Sequence, residues 1–86
     1  MPIISAFFGI IVRMFFDDHP PPHFHAEYQG QEALVAFDGS IIEGEITSSR
    51  ARRLLKEWTL LHRSELEMNW RRAKSLKPLV QIAPLD

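Results

Sequence analysis

The stretch Ala33-Leu34-Val35-Ala36-Phe37-Asp38-Gly39-Ser40-Ile41-Ile42-Glu43-Gly44-Glu45-Ile46-Thr47-Ser48-Ser49 decides the fold class. Its first part is two apolar, β-prone runs on either side of Asp38-Gly39, a pair that tolerates the positive φ of a primed two-residue hairpin turn. Its last part, Thr47-Ser48-Ser49, is a cluster of helix N-cap residues. After it the apolar spacing changes from a period of two to a helical one: Leu54, Trp58 and Leu61 follow i, i+4, i+7. Strands followed by helix, with short links, predict an α+β domain.

Working back towards the N-terminus, Gly30 predicts a second hairpin, joining a strand over residues 23–29 to one over residues 31–37. Ile3 to Phe8 and Ile10 to Phe16 are further β-rich runs, with Gly9 as the bend between them. The last strand spans Ile41 to Ile46. Consecutive strands on short connections favour an antiparallel meander of four or five strands over residues 3–46. Alternation puts Ile10, Val12, Met14 and Phe16 on one face, and Phe24, Ala26 and Tyr28 on the face of the next strand that meets the helices.

Towards the C-terminus the apolar stripe slips, since Leu66, Trp70 and Ala73 lie rotated from the first three. Ser64 with Glu67 three residues later has the capping-box pattern. Residues 48–76 are therefore one bent helix or a kinked pair that breaks near His62-Arg63, packed on one face of the sheet. His62 at such a break is expected to hydrogen-bond a carbonyl. Lys77-Pro78 ends the helix, and Pro84 keeps the tail irregular.

At 86 residues the chain has room for one core, so residues 1–86 form a single domain. It has no cysteine. Disulfides, thiolate metal sites and cysteine nucleophiles are excluded, and a reducing, cytoplasmic setting is expected. Arg13 interrupts the apolar start after about a dozen residues, short of the roughly 20 a membrane span needs. The net charge of −1 conceals a division: residues 1–47 hold one base against seven acids, and residues 48–77 hold nine bases against three acids. Such asymmetry points to an electrostatic partner, or to attraction between the two halves.

Two groups of residues could carry function. In Asp17-Asp18-His19-Pro20-Pro21-Pro22-His23-Phe24-His25-Ala26-Glu27-Tyr28, alternation sets His23, His25 and Glu27 on one strand face. Two imidazoles at i and i+2 can share a divalent metal ion, with Asp17 or His19 completing the shell. Asp18 or Glu27 could serve as ligand or base. The plain alternative is a solvated strand face. The second group is the helical bases, of which Arg50, Arg53 and Lys56 recur at i, i+3 and i+6 and are expected to share a face. There is no glycine-rich phosphate loop, zinc-finger spacing, helix-turn-helix or nucleophile elbow.

The string Pro21 to Tyr28 is distinctive. Together with Met1 to Ser5, Gly9 to Met14, Asp17-Asp18-His19, Trp58, and Leu61-His62-Arg63 through Asn69-Trp70, it resembles a bacterial domain-of-unknown-function family, DUF4160, over nearly the whole chain. Here Pro20 adds a third proline to the pair usual in that family. The resemblance implies a small stand-alone bacterial protein, often encoded beside another small protein, as in toxin–antitoxin-like pairs. It implies no catalytic residue.

The leading expectation is a protein-interaction or regulatory module in such a two-gene system, acting through a neighbouring small protein. An exposed edge strand would make a homodimer feasible. A metal-dependent hydrolase using His19, His23 and His25 is the alternative. A nucleic-acid binder using the helical arginines is the third.

Overall fold

Two tight turns set up the sheet. In the computed structural model, which describes residues 2–86 and leaves Met1 outside, strands β1 (Ile3–Phe7) and β2 (Ile10–Arg13) are joined by Phe8-Gly9. Strands β3 (His23–Tyr28) and β4 (Gln31–Ala36) are joined by Gln29-Gly30. In both turns the two central residues have positive φ, at 47° and 82° in the first and 47° and 80° in the second. That is the signature of the primed turn whose twist matches the flanking strands, and glycine takes the second position without strain.

The Asp38-Gly39 link to β5 (Ile41–Gly44) is built differently. Four residues separate the strands, and of that pair only Gly39 has positive φ. Asp38 instead folds its carboxylate back onto the Ser40 amide at 2.9 Å and the Ser40 hydroxyl at 2.6 Å. An Asx-type turn replaces the two-residue primed turn read from the sequence.

All neighbouring pairs are antiparallel, and the order β1-β2-β3-β4-β5 is a pure meander. Strand β2 stops at Arg13 rather than Phe16. Its ladder partners Ile3 and His25 end the pairing there, the chain turns away through Asp17 at φ 53°, and Phe16 is exposed. β5 likewise ends at Gly44, two residues before Ile46.

One sheet face is apolar and covered. Val12, Phe24, Ala26 and Val35 on it are fully buried beneath Trp58, Leu55 and Leu66. The helical segment is a kinked pair: α1 (Ser49–Leu61) and α2 (Arg63–Lys74) meet at His62, whose φ of −111° interrupts the helix. Ser48 is the N-cap of α1, accepting from the Ala51 amide at 3.1 Å.

Three readings of the helices need correction. The buried stripe of α1 is Ala51, Leu55 and Trp58 with Thr59, not Leu54–Trp58–Leu61. Leu61 is 67% exposed, because the kink turns the last residue of α1 away from the sheet. Ser64 does not cap α2, since that helix already begins at Arg63 and Ser64 lies inside its first turn. His62 reaches Glu65 rather than a carbonyl, with Nδ1 2.6 Å from Oε1.

The C-terminal tail is irregular, as expected, yet it is part of the core. Ile82 donates to the Ile4 carbonyl at 2.8 Å, and Gln81 Nε2 donates to Ile3 at 2.6 Å, so the tail lies on the β1 edge. Asn69, buried in α2, clamps Val80 by donating to its carbonyl and accepting from its amide. The opposite edge, β5, has no such cover among the described residues, and all four of its residues are exposed. No helix among the described residues is long and apolar enough to cross a membrane.

Candidate functional site

The segment between β2 and β3 is pinned at its base. Asp17 donates its amide to the Ala73 carbonyl at the end of α2, and Lys74 donates to the Asp18 carbonyl. This fixes which of two adjacent acids turns inwards. The Asp17 side chain is 75% exposed, with its carboxylate 3.9 Å from Lys74. The Asp18 carboxylate points across the outer face of β3, where His23 Nε2 lies 3.0 Å and His25 Nε2 3.1 Å from the same oxygen, Oδ2.

These three residues converge tightly: one ligand atom from each lies within 4.8 Å of the other two. Every member is braced from behind. The other Asp18 oxygen accepts the His19 amide at 2.9 Å. His23 Nδ1 sits 2.7 Å from the Pro21 carbonyl, and its ring packs on Trp70 with centroids 5.5 Å apart. His25 meets the edge of Phe15 at 4.2 Å.

The outer face is therefore not the solvated one of the plain alternative, for His23 is only 2% exposed. Burial pushes the Asp18 carboxyl upwards. The His25 hydrogen bond, the His19 amide and the two nearby imidazoles outweigh it, so the group sits below its ordinary value.

The sequence candidates divide accordingly. His23 and His25 come together, and Asp18 joins them in place of Asp17. The His19 side chain is 77% exposed and stands outside the cluster, although its ring lies 5.7 Å from that of His23. Glu27 is engaged in an ion pair with Arg13. Which carboxylate enters depends on the left-handed backbone at Asp17, which nothing in Asp17-Asp18 announces. The cluster opens onto a groove of about 280 Å³ whose far side carries Glu32, Leu34, Glu43 and Gly44.

The helical bases do not share the expected face. Arg50 leaves the group to stack over Phe8 in the first hairpin turn, 5.8 Å from the ring centroid. Arg53 and Lys56 turn to the β4–β5 side instead. With Arg52 they rim a second groove, of about 440 Å³, over Gly39, Ile41 and Leu55. No acid lines it. Arg52 is held by the carbonyls of Ile46 and Thr47 at 2.7 and 2.8 Å, which orient its charge without neutralising it. Arg63 faces Glu67 at 3.5 Å and Lys74 faces Asp17, so the remaining bases are partly paired elsewhere.

A family model described as Domain of unknown function (DUF4160) matches residues 9–71, a span that includes Asp18, His23, His25, Arg53 and Lys56. No curated protein and no solved structure matches the chain.

Proposed function

The chain belongs to the DUF4160 family, and from its surface we propose that it is a protein-interaction module that receives an extended acidic segment of a partner protein along β5. The observation that carries this reading is the juxtaposition of an uncovered sheet edge with an apolar groove rimmed by Arg52, Arg53 and Lys56.

An edge strand presents main-chain donors and acceptors that a partner strand can complete, while pockets beside it select side chains. Ile41 and Leu55 offer such a pocket an apolar floor, and three cations at its rim favour carboxylates. Exposed ion pairs contribute about 0–1 kcal/mol each. Unpaired exposed cations contribute less still, so stability does not account for the cluster. Recognition and fast encounter do.

A second copy fits this edge less well. Glu43 of one β5 lies on the outer-groove side and would meet the acids of the other copy there, whereas the partner segment proposed here carries its carboxylates on the helix side, against Arg52, Arg53 and Lys56. A neighbouring small protein in a two-gene, toxin–antitoxin-like regulatory system is the kind of partner this reading calls for.

The test is co-expression with the neighbouring gene product, followed by the double charge reversal Arg53→Glu and Lys56→Glu. Loss of the complex, with unchanged far-UV circular dichroism and melting temperature, supports the reading. A complex that survives the reversal refutes it.

A further inference from the structure

We infer that Asp18, His23 and His25 form a binding site for one divalent transition-metal ion, with a coordination position open to the groove that Glu32 and Glu43 border. Its three ligands lie outside β5, which only borders the groove through Glu43 and Gly44, and the inference does not depend on docking at that edge.

The first argument is the hydrogen-bond inventory of His23. A carbonyl oxygen can only accept, so the 2.7 Å contact with Pro21 places a proton on Nδ1. In the neutral ring Nε2 then carries a lone pair, aimed at a carboxylate oxygen 3.0 Å away. Either a proton on Nε2 or a metal ion beside it bridges two such atoms, and the ring carrying one of them is only 2% exposed. A Nδ1–H donated to a backbone carbonyl is also the standard outer-sphere arrangement of metal-binding histidine, leaving Nε2 to ligate.

The second argument is spacing. With metal–ligand bonds of about 2.0–2.1 Å, adjacent ligand atoms lie about 2.9 Å apart at a right angle and about 3.3–3.4 Å apart at the tetrahedral angle. Asp18 Oδ2 is 3.0 Å from one imidazole nitrogen and 3.1 Å from the other. Both values fall in or beside that interval. The third edge of the triangle, between the two imidazole nitrogens, is under 4.8 Å.

The third argument is rigidity. The Pro21 carbonyl and Trp70 hold His23, Phe15 holds His25, and the His19 amide and Lys74 hold Asp18 on both its side chain and its carbonyl. Ligands already fixed lose little freedom on binding, which raises affinity.

Donor chemistry selects the metal class. Two imidazoles and one carboxylate suit zinc and the neighbouring divalent ions iron, cobalt and nickel, and not calcium or magnesium, which take oxygen shells. Three protein ligands leave at least one position for water or for an incoming oxygen or nitrogen. That is the open type of site, in contrast to the closed four-ligand structural type. Bound there, an ion would supply Lewis acidity and an acidified water to whatever occupies the groove.

The experiment is calorimetric titration of tag-free protein with zinc and with cobalt, backed by Trp70 fluorescence, since that indole packs on His23 and a paramagnetic ion there should quench it. Wild type is expected to bind one equivalent. Asp18→Asn and His25→Ala should each weaken binding at least about 100-fold, because losing even an outer-sphere partner costs 10–100-fold. His19→Ala and Asp17→Asn should bind within about threefold of wild type, since neither side chain joins the cluster. His23 is buried and its removal could unfold the chain, so the decision rests on the partly exposed His25 and on Asp18, with melting curves checking that both variants fold. Absence of stoichiometric binding by wild type overturns the site. So does equal binding by wild type, Asp18→Asn and His25→Ala, or loss of binding that follows Asp17 or His19 instead.

Discussion

Replacing Trp58 by alanine should bring this domain close to its unfolding limit. The indole is fully buried and packs on Phe7 at 5.2 Å and edge-on to Phe24 at 5.6 Å. A buried tryptophan removes about 150–250 Å² from water. At about 25 cal/mol per Å² that is about 4–6 kcal/mol, an upper bound because the unfolded chain already buries some of that area. Tryptophan-to-alanine replacements in cores cost about 3–5 kcal/mol. At about 0.05–0.15 kcal/mol per residue, a chain of 86 residues has only about 4–13 kcal/mol to lose.

The conservative variant separates packing from hydrogen bonding. Trp58→Phe keeps most of the ring volume but loses the Nε1 donor to the Ala83 carbonyl at 2.9 Å. Ala83 is exposed, so water can replace that donor, and the cost should be about 1–2 kcal/mol. For a domain of this size 1 kcal/mol moves the midpoint by about 4–8 °C. The phenylalanine variant should therefore melt about 5–15 °C below wild type, and the alanine variant at least about 12 °C below. Urea and thermal unfolding followed by far-UV circular dichroism measure both. An alanine variant within 1 kcal/mol of wild type would refute the placement of Trp58 at the centre of the sheet–helix interface.

Other outcomes follow from single contacts. Gly44→Ala should destabilise by at least about 1–3 kcal/mol, because the residue has φ of 85° and a Cβ there would stand 2.3 Å from the Glu32 carbonyl; chemical denaturation reads it. Asn69→Ala removes both clamps on Val80 and should make the tail susceptible to limited proteolysis before the rest of the chain, with a cost of about 2–4 kcal/mol. The Asp38 carboxyl is held below its ordinary value of 3.8, first by the Ser40 hydroxyl and then by the Ser40 amide. A depressed folded value means the stabilisation is complete above 3.8 and fades as pH falls through the lower folded value, so Asp38→Asn should flatten the acid limb of the stability profile. A carboxyl resonance for Asp38 titrating at or above 3.8 would contradict this.

The strands and their faces were legible because period-two alternation and Gly-marked turns are local properties, and Phe24 and Ala26 lie where alternation puts them. What failed depended on long-range geometry. The stripe on α1 has two apolar solutions that share Trp58, since Ala51–Leu55–Trp58 and Leu54–Trp58–Leu61 both follow i, i+4, i+7 spacing. The choice of Leu55 comes from where β5 delivers the chain and where the kink falls. The tail looked like a loose end because its order comes from Asn69, Trp58 and the β1 edge, all distant in sequence. At the histidine segment the pair His23 and His25 followed from alternation alone. The carboxylate did not, because the inward turn of Asp18 rests on Ala73 and Lys74, more than fifty residues away.

β5 connects the two surfaces. Glu43 and Gly44 at its far end border the imidazole groove, while Ile41 at its start floors the basic groove on the helix side. His25 pairs with Leu34, and Leu34 with Glu43, so the metal-site histidine stands two strands from the open edge on the outer face, about 9–10 Å away. That edge is short, carries a bulge between its pairings with Leu34 and Val35, and is flanked by acids. These features restrain indiscriminate strand pairing. A segment that nevertheless docks there must be chosen by its side chains. Those on one face meet Arg53 and Lys56, and those on the other lie beside Glu43 at the mouth of the groove. The charge division between the halves of the sequence thus acquires a local meaning: the acidic half supplies the sheet's outer groove, the basic half supplies the rim behind it, and one four-residue strand separates the two.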